Sequence, residues 1–136
     1  MTPFLLDTCA ALWAADDQVS DDAANALTEA ARAGLRTYVS PITAWEIGLL
    51  ARKGRFRSPM SPARWFERLM STPGVELAKM PPDVLIASSF LPSFEHGDPA
   101  DRIIAATARE YGYTIMTRDR ALLDYGAQGY VSVLEC

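Results

Sequence analysis

Residues and segments that mark several classes of protein are scarce in this 136-residue chain. It has two cysteines, Cys9 and Cys136, which cannot form a disulfide framework and lack the CxxC spacing of a metal site. No apolar run approaches the roughly 18 residues that a membrane span needs. The apolar first segment, residues 1–15, has no basic residues at its start and is interrupted by Asp7, so we expect no export signal. We therefore expect a cytoplasmic protein that does not associate with membranes.

Three kinds of phosphate chemistry also lack their characteristic residues. No glycine-rich loop is present to bind the phosphates of a nucleotide. A haloacid-dehalogenase-like phosphatase needs a second aspartate two residues after its first-strand aspartate, but Cys9 follows Asp7 at that spacing. A phosphoacceptor receiver domain needs a lysine after its fifth strand, whereas the only lysines here are Lys53 and Lys79. These classes are therefore disfavoured.

Composition and the order of apolar segments indicate one globular domain over residues 1–136. Hydrophobic residues make up 49% of the chain and charged residues 22%, and there is no internal repeat. Apolar patterning predicts strands at residues 3–7, 35–39, 75–78, 113–117 and 130–134. It predicts helices at residues 8–15, 20–33, 41–53, 62–70, 82–90 and 99–111, and a short helix beginning near Asp119. This alternation predicts a three-layer α/β/α sandwich around a five-stranded, mainly parallel sheet.

Two aspartates lie where predicted strands meet the helices that follow them. Asp7 ends the first strand, and Asp119 lies two residues beyond the fourth. Parallel α/β sheets bind ligands at the carboxyl ends of strands, at the point where the winding direction reverses. If the first and fourth strands are neighbours, both carboxylates face one crevice. The alternative is that each aspartate only caps the following helix.

Two further acidic residues share helix faces with apolar residues. Glu46 falls inside an apolar arc of the predicted helix 41–53. That arc comprises Ile42, Trp45, Leu49 and Leu50. Asp101 lies on the apolar face of helix 99–111, and a carboxylate turned towards a core needs a partner or a metal. The alternatives are an ion pair for Glu46 and, for Asp101, a capping box begun by the N-cap residue Asp98.

Together, Asp7, Glu46, Asp101 and Asp119 predict a metal site. Two like charges 4 Å apart repel by on the order of 4 kcal/mol at an effective dielectric near 20, and a divalent cation removes that repulsion. Because the predicted ligands are all oxygen atoms, Mg²⁺ or Mn²⁺ is the expected cofactor. Carboxylate sites with open coordination positions suit phosphoryl chemistry.

Four segments match the pattern of a known family in their order and spacing. They are LLDTCAALW at residues 5–13, SPITAWEIGLL at 40–50, HGDPADRIIAATA at 96–108 and TIMTRDRALLDYG at 114–126. On these segments the chain resembles the PIN-domain ribonucleases, specifically the VapC-like toxins of bacterial toxin–antitoxin systems. The resemblance implies an α/β/α sandwich that cuts single-stranded or loop RNA with Mg²⁺ or Mn²⁺. It also implies a homodimer and a cognate antitoxin protein, which often inserts an arginine into the acidic pocket.

The resemblance gives each acidic residue a role. Asp7, Glu46 and Asp101 match the metal-binding acids of the family, and Asp119 matches an acid that contributes less in many relatives. Thr117 matches a hydroxyl residue that positions a water or a phosphate. The expected reaction is in-line attack of metal-activated water on an RNA phosphodiester, leaving a 5′-phosphate and a 3′-hydroxyl. The alternative is a degenerate PIN module that binds RNA or a protein partner without cleavage.

A cluster of cations gives the acidic chain a local basic region. The net charge of −4 by itself argues against a nucleic-acid partner. The basic segment, defined as residues 52–68, contains Arg52, Lys53, Arg55, Arg57, Arg64 and Arg68 against one acid, Glu67. It is a candidate for attracting RNA phosphates, with Trp65 and Phe66 stacking on bases, or for contacting an acidic antitoxin segment. The alternative, which we favour for the two aromatic residues, is a solvated helix face with a core tryptophan. For the only histidine, His96, we favour loop packing or a hydrogen bond near Asp98 over a general-acid role.

Overall fold

The computed structural model describes residues 1–136, in which five short strands are interspersed with seven helices. The strands are β1 (Phe4–Leu6), β2 (Thr37–Val39), β3 (Val75–Leu77), β4 (Thr114–Thr117) and β5 (Ser132–Glu135). The helices are α1 (Thr8–Ala15), α2 (Asp21–Arg32), α3 (Pro41–Arg52), α4 (Pro62–Met70), α5 (Pro82–Ala87), α6 (Pro99–Tyr111) and α7 (Arg120–Ala127). None of the helices is long and apolar enough to cross a lipid bilayer.

All five strands form one parallel sheet in the order β3-β2-β1-β4-β5. The central strand β1 pairs with β2 on one side and with β4 on the other, so that Leu6 lies between Val39 and Met116. The pairing of β1 with β4 confirms that these two strands are neighbours. Strands β2 and β3 follow on one side of β1, and β4 and β5 follow on the other. The winding direction therefore reverses between β1 and β4.

The core lies on both faces of the sheet, as the alternation of side chains along β1 requires. Leu6 packs with residues of α1, α2 and α4 in one apolar cluster, whereas Leu5 packs with residues of α5, α6 and α7 in another. Helix α3 joins both sides, since Ile47 belongs to the first cluster and Ile42 packs against the second. The predicted three-layer α/β/α sandwich is confirmed.

Two predicted boundaries differ from the structure for local reasons. Helix α5 ends at Ala87 and not near Phe90, because the backbone N–H groups of Ser89 and Phe90 donate three residues back, to Ile86 and Ala87 (3.0 Å each), and not four. Strand β5 begins at Ser132 and not at Tyr130, because the backbone N–H of Tyr130 donates to Tyr125 at the end of α7 (3.3 Å). The other element ends differ by one or two residues, as helix and strand ends commonly do.

Candidate active site

A cleft of about 280 Å³ lies at the carboxyl edge of the sheet, where the winding direction reverses. All four predicted acids line it: Asp7 after β1, Glu46 in α3, Asp101 in the first turn of α6 and Asp119 after β4. The remaining lining residues are Thr8, Cys9, Leu49, Leu50, Lys53, Arg55 and Asp98. The topology thus brings together residues that are far apart in the sequence.

Asp7 is buried at the bottom of this cleft and is held by hydrogen bonds to both carboxylate oxygens. Oδ1 accepts from the backbone N–H of Ala10 (2.8 Å), which caps α1, and Oδ2 accepts from the hydroxyl of Thr117. Burial raises the pKa of Asp7, although these two hydrogen bonds act to lower it. The orientation of the Asp7 carboxylate is therefore fixed before any ligand binds.

Thr117 acts from beneath the cleft. Its side chain is fully buried, and its Oγ1 also accepts from the backbone N–H of Asp119 (2.9 Å). One hydroxyl consequently fixes the position of Asp7 relative to Asp119. Because Thr117 does not line the cleft, it is a positioning residue for the acids in this structure.

Glu46 is half-buried on α3 and accepts a hydrogen bond from the hydroxyl of Thr8. Thr8 Oγ1 also lies 3.2 Å from Thr43 Oγ1, so α1 and α3 are connected beside the cleft. Burial raises the pKa of Glu46, and the charges of Asp98 and Asp7 raise it further. The predicted apolar arc was wrong in part, because Trp45 is 51% exposed and the buried residues of α3 are Thr43 and Ile47.

The largest pKa change among the acids occurs at Asp101, whose pKa is raised to about 8. Burial is the main cause, followed by the charges of Asp119 and Asp98. Asp98 caps α6, accepting from the backbone N–H of Ala100 (3.1 Å), and it also lines the cleft. Sequence reasoning gave Asp98 a capping role only. Asp98 is thus a fifth carboxylate of the cleft.

Asp119 likewise combines the two roles that were weighed as alternatives. Its carboxylate accepts from the backbone N–H of Leu122 (3.0 Å) and caps α7, and the same residue lines the cleft. Helices that follow parallel strands begin at the carboxyl edge of the sheet. Their N-cap carboxylates therefore gather at the site where ligands bind.

The donor set of the cleft fits a hard divalent cation. Carboxylate oxygens predominate, because five acids line the cleft against only two cations, Lys53 and Arg55. Cys9 offers no thiolate at neutral pH, because burial and then the nearby carboxylates raise its pKa to about 11. No three of the acidic, histidine or cysteine side chains converge closely enough to contact one ion together, so some of the carboxylates would hold the ion through water.

A family model described as the PIN domain matches residues 4–128. The chain belongs to the PIN-domain family. The chain is also 35% identical over 123 residues to Ribonuclease VapC22 of Mycobacterium tuberculosis, a match that covers 90% of this chain and 91% of the relative. These matches confirm the family that the four sequence segments resemble.

Solved structures show the same PIN-domain fold at lower identity. The chain matches a chain of VapBC2 from Rickettsia felis, solved with a DNA fragment from its promoter, with a TM-score of 0.69 and 15% identity over 97% of each chain. It matches FitAcB from Neisseria gonorrhoeae with a TM-score of 0.56 and 21% identity over 96% of each chain.

Trp65 and His96 of this PIN domain lie where the favoured interpretations of the sequence put them. Trp65 is buried in the core with its ring edge-on to Phe56, so the core interpretation is correct for it. His96 is exposed, packs against the ring of Phe94 and does not line the cleft. Of the basic segment, only Lys53 and Arg55 line the cleft. The positions of Lys53 and Arg55 depend on where α3 ends. In the sequence, Gly54 marks that end only roughly.

Proposed function

We propose that this PIN domain is a metal-dependent endoribonuclease that uses Mg²⁺ or Mn²⁺ and acts as the toxin of a toxin–antitoxin pair. One observation supports this above all: five carboxylates share one cleft of about 280 Å³ at the reversal point of a parallel sheet. The cleft lacks enough cations to balance these carboxylates, so it favours a divalent ion together with an anionic substrate. The name of the relative VapC22 supports RNA as that substrate.

The residues of the cleft have separable tasks in this proposal. Asp7, Glu46 and Asp101 hold the cation directly or through water, with Asp119 contributing less. When bound, the cation supplies Lewis-acid stabilisation of the charge that develops on the phosphodiester. Glu46 orients the attacking water and accepts its proton, a task that suits a carboxylate with a raised pKa. The products are a 5′-phosphate and a 3′-hydroxyl.

The decisive assay is cleavage of single-stranded RNA by the purified protein with and without EDTA. Cleavage is expected to need Mg²⁺ or Mn²⁺ and to be lost in Asp7→Asn, which keeps the size and the capping ability of the side chain. Asp124→Asn is the matched control, because Asp124 is an exposed acid of α7 outside the cleft. Cleavage that survives chelation, or full activity of Asp7→Asn, would contradict the proposal.

The toxin role requires a separate measurement. Expression of the chain alone in the bacterial cytoplasm is expected to arrest growth, and co-expression of a small neighbouring gene that encodes the antitoxin is expected to relieve the arrest. Absence of arrest by an active nuclease would argue against the toxin role. A protein that neither cleaves RNA nor binds Mn²⁺ in a titration would instead be the inert PIN module.

The proposal includes a homodimer, which would cover exposed apolar side chains. Trp45 of α3, Ile86 of α5 and Phe90 are 51%, 62% and 80% exposed, respectively, and both helices pack against α6. Such side chains on neighbouring elements are typical of an interaction surface. Sedimentation analysis is expected to give a dimer for the wild type and a monomer for Ile86→Ser/Phe90→Ser. A monomeric wild type would contradict this part of the proposal.

A further inference from the structure

The C-terminal end of α3 presents two cations on a fixed backbone. Lys53 is the C-cap residue, and Gly54 adopts a left-handed conformation with φ of 72°. The backbone N–H of Arg55 then donates to the carbonyl oxygen of Leu50 (2.8 Å), and that of Gly54 donates to Ala51 (3.0 Å). These two hydrogen bonds form a Schellman motif, so the backbone that carries both cations is part of the helix end.

These cations share the cleft with the acids but do not neutralise them. Lys53 and Arg55 both line the cleft and are exposed. None of the hydrogen bonds to the carboxylates of Asp7, Glu46 and Asp119 comes from either cation, because their donors lie on α1, β4 and α7. The two cations are therefore available for an anion that enters the cleft.

The residues of α3 that line the cleft lie along one face of the helix. Leu49, Leu50 and Lys53 follow Glu46 by three, four and seven residues, which are the spacings of a single helix face. With a rise of 1.5 Å per residue, the backbone positions of Glu46 and Lys53 are about 10 Å apart. The cleft thus has an acidic end and a basic end, separated by two leucines.

We propose that Lys53 and Arg55 bind an RNA phosphate that neighbours the phosphate being cut. Leu49 and Leu50 then contact the nucleoside between the two phosphates. This inference deepens the proposed nuclease function and rests on it, because it concerns the same cleft. Lys53 and Arg55 are substrate-positioning residues that fix which phosphodiester reaches the carboxylates.

Binding of a short fluorescein-labelled single-stranded RNA to chelator-treated protein, followed by fluorescence anisotropy, tests the cation pair without cleavage. Lys53→Gln/Arg55→Gln is expected to weaken binding about tenfold and to lower the slope of log affinity against log salt by about 0.7 for each phosphate that is no longer neutralised. Arg57→Gln/Arg64→Gln is the matched control, since it removes the same charge from the same segment outside the cleft. The control is expected to weaken binding by about twofold or less. Equal losses in the two double variants would overturn the proposal.

A chemical change in the RNA locates the contact. Replacing one phosphate next to the cut site by an uncharged methylphosphonate is expected to weaken binding to the wild type but not to Lys53→Gln/Arg55→Gln. The double variant is also expected to raise KM for RNA cleavage with little change in kcat, because the contact is made equally in the ground state and the transition state. An equal effect of the methylphosphonate on both proteins would refute the assignment.

The two proposals fail in different ways. If RNA binding depends on Lys53 and Arg55 but no metal supports cleavage, the nuclease function fails and the phosphate site stands. If the wild type cleaves RNA and Lys53→Gln/Arg55→Gln cleaves it with unchanged KM, the phosphate site fails and the nuclease function stands. Urea unfolding of each variant checks that the substitutions leave the fold intact, which is expected for exposed residues.

Discussion

Replacing Asp101 by asparagine is expected to make the metal-free protein more stable at neutral pH while removing metal-dependent activity. Because burial and the neighbouring acids Asp119 and Asp98 raise its pKa to about 8, Asp101 keeps its proton to higher pH in the folded state than in the unfolded chain. In the unfolded chain its pKa is near 3.9. Between these two values the folded state therefore binds up to one proton more than the unfolded state.

The sign of the pH dependence follows from this difference in bound protons. Stability rises with pH where the unfolded state binds more protons, so here the free energy of unfolding falls as pH rises from about 4 to 8. The limiting slope is about 1.4 kcal/mol per pH unit, or about 2.7 kcal/mol between pH 5 and pH 7. Since the Asp101 carboxyl is partly exposed, solvent screening reduces the expected change to roughly 1 kcal/mol.

Urea denaturation of chelator-treated protein at pH 5, 6 and 7 measures this effect. The advantage of Asp101→Asn over the wild type in unfolding free energy is expected to grow by roughly 1 kcal/mol over that range. Taking the difference between the two proteins removes the titration of groups, such as Glu46, whose pKa does not depend on the charge of Asp101. At pH 7, Mn²⁺ at 100 times its Kd is expected to add about 2.7 kcal/mol to the wild type and much less to the variant. A difference that is constant with pH, or that shrinks as pH rises, would refute the reasoning.

Three further substitutions test other parts of the structure. Thr117→Val removes the hydrogen bond that lowers the pKa of Asp7, so the pH profile of RNA cleavage should move to higher pH, whereas Thr117→Ser should keep the wild-type profile. Gly126→Ala would bring a methyl group into the side chain of Val133, and urea unfolding should show a loss of about 1–3 kcal/mol that Gly126→Ala/Val133→Ala largely restores. Because Trp65 is buried in the core, Trp65→Ala should lower the unfolding free energy by about 3–5 kcal/mol. Trp65→Leu should leave the affinity for RNA unchanged. A clear loss of RNA affinity in Trp65→Leu would show that the ring contacts RNA.

The sequence predicted the layers and the four acids because both depend on local patterns. Apolar strands that alternate with helices require parallel crossovers, and an aspartate at the end of a strand marks the carboxyl edge of the sheet. Asp7 and Asp119 were therefore placed correctly from position alone. The pairing of β1 with β4 was only a condition in that argument, since strand order depends on contacts between residues about 110 positions apart.

Residues that require the packed structure were missed or misassigned. The apolar arc of α3 included Trp45, which is 51% exposed, because helical periodicity alone does not show which side of α3 meets the core. Asp98 was assigned only a capping role, because its neighbours in the cleft come from other elements. Lys53 and Arg55 could not be distinguished from the other cations of the basic segment without the path of the chain after α3.

Three residues of the cleft also cap helices, and this determines which substitution should be used to make an inactive form of the protein. Asp7, Asp98 and Asp119 each start a helix and also line the cleft. Alanine at such a position removes the cap, which costs about 0.5–2 kcal/mol, whereas asparagine caps about as well as aspartate. An alanine variant that no longer arrests growth therefore reports folding and chemistry together. Asparagine variants separate the two, and they are the suitable starting point for producing the intact protein in living cells.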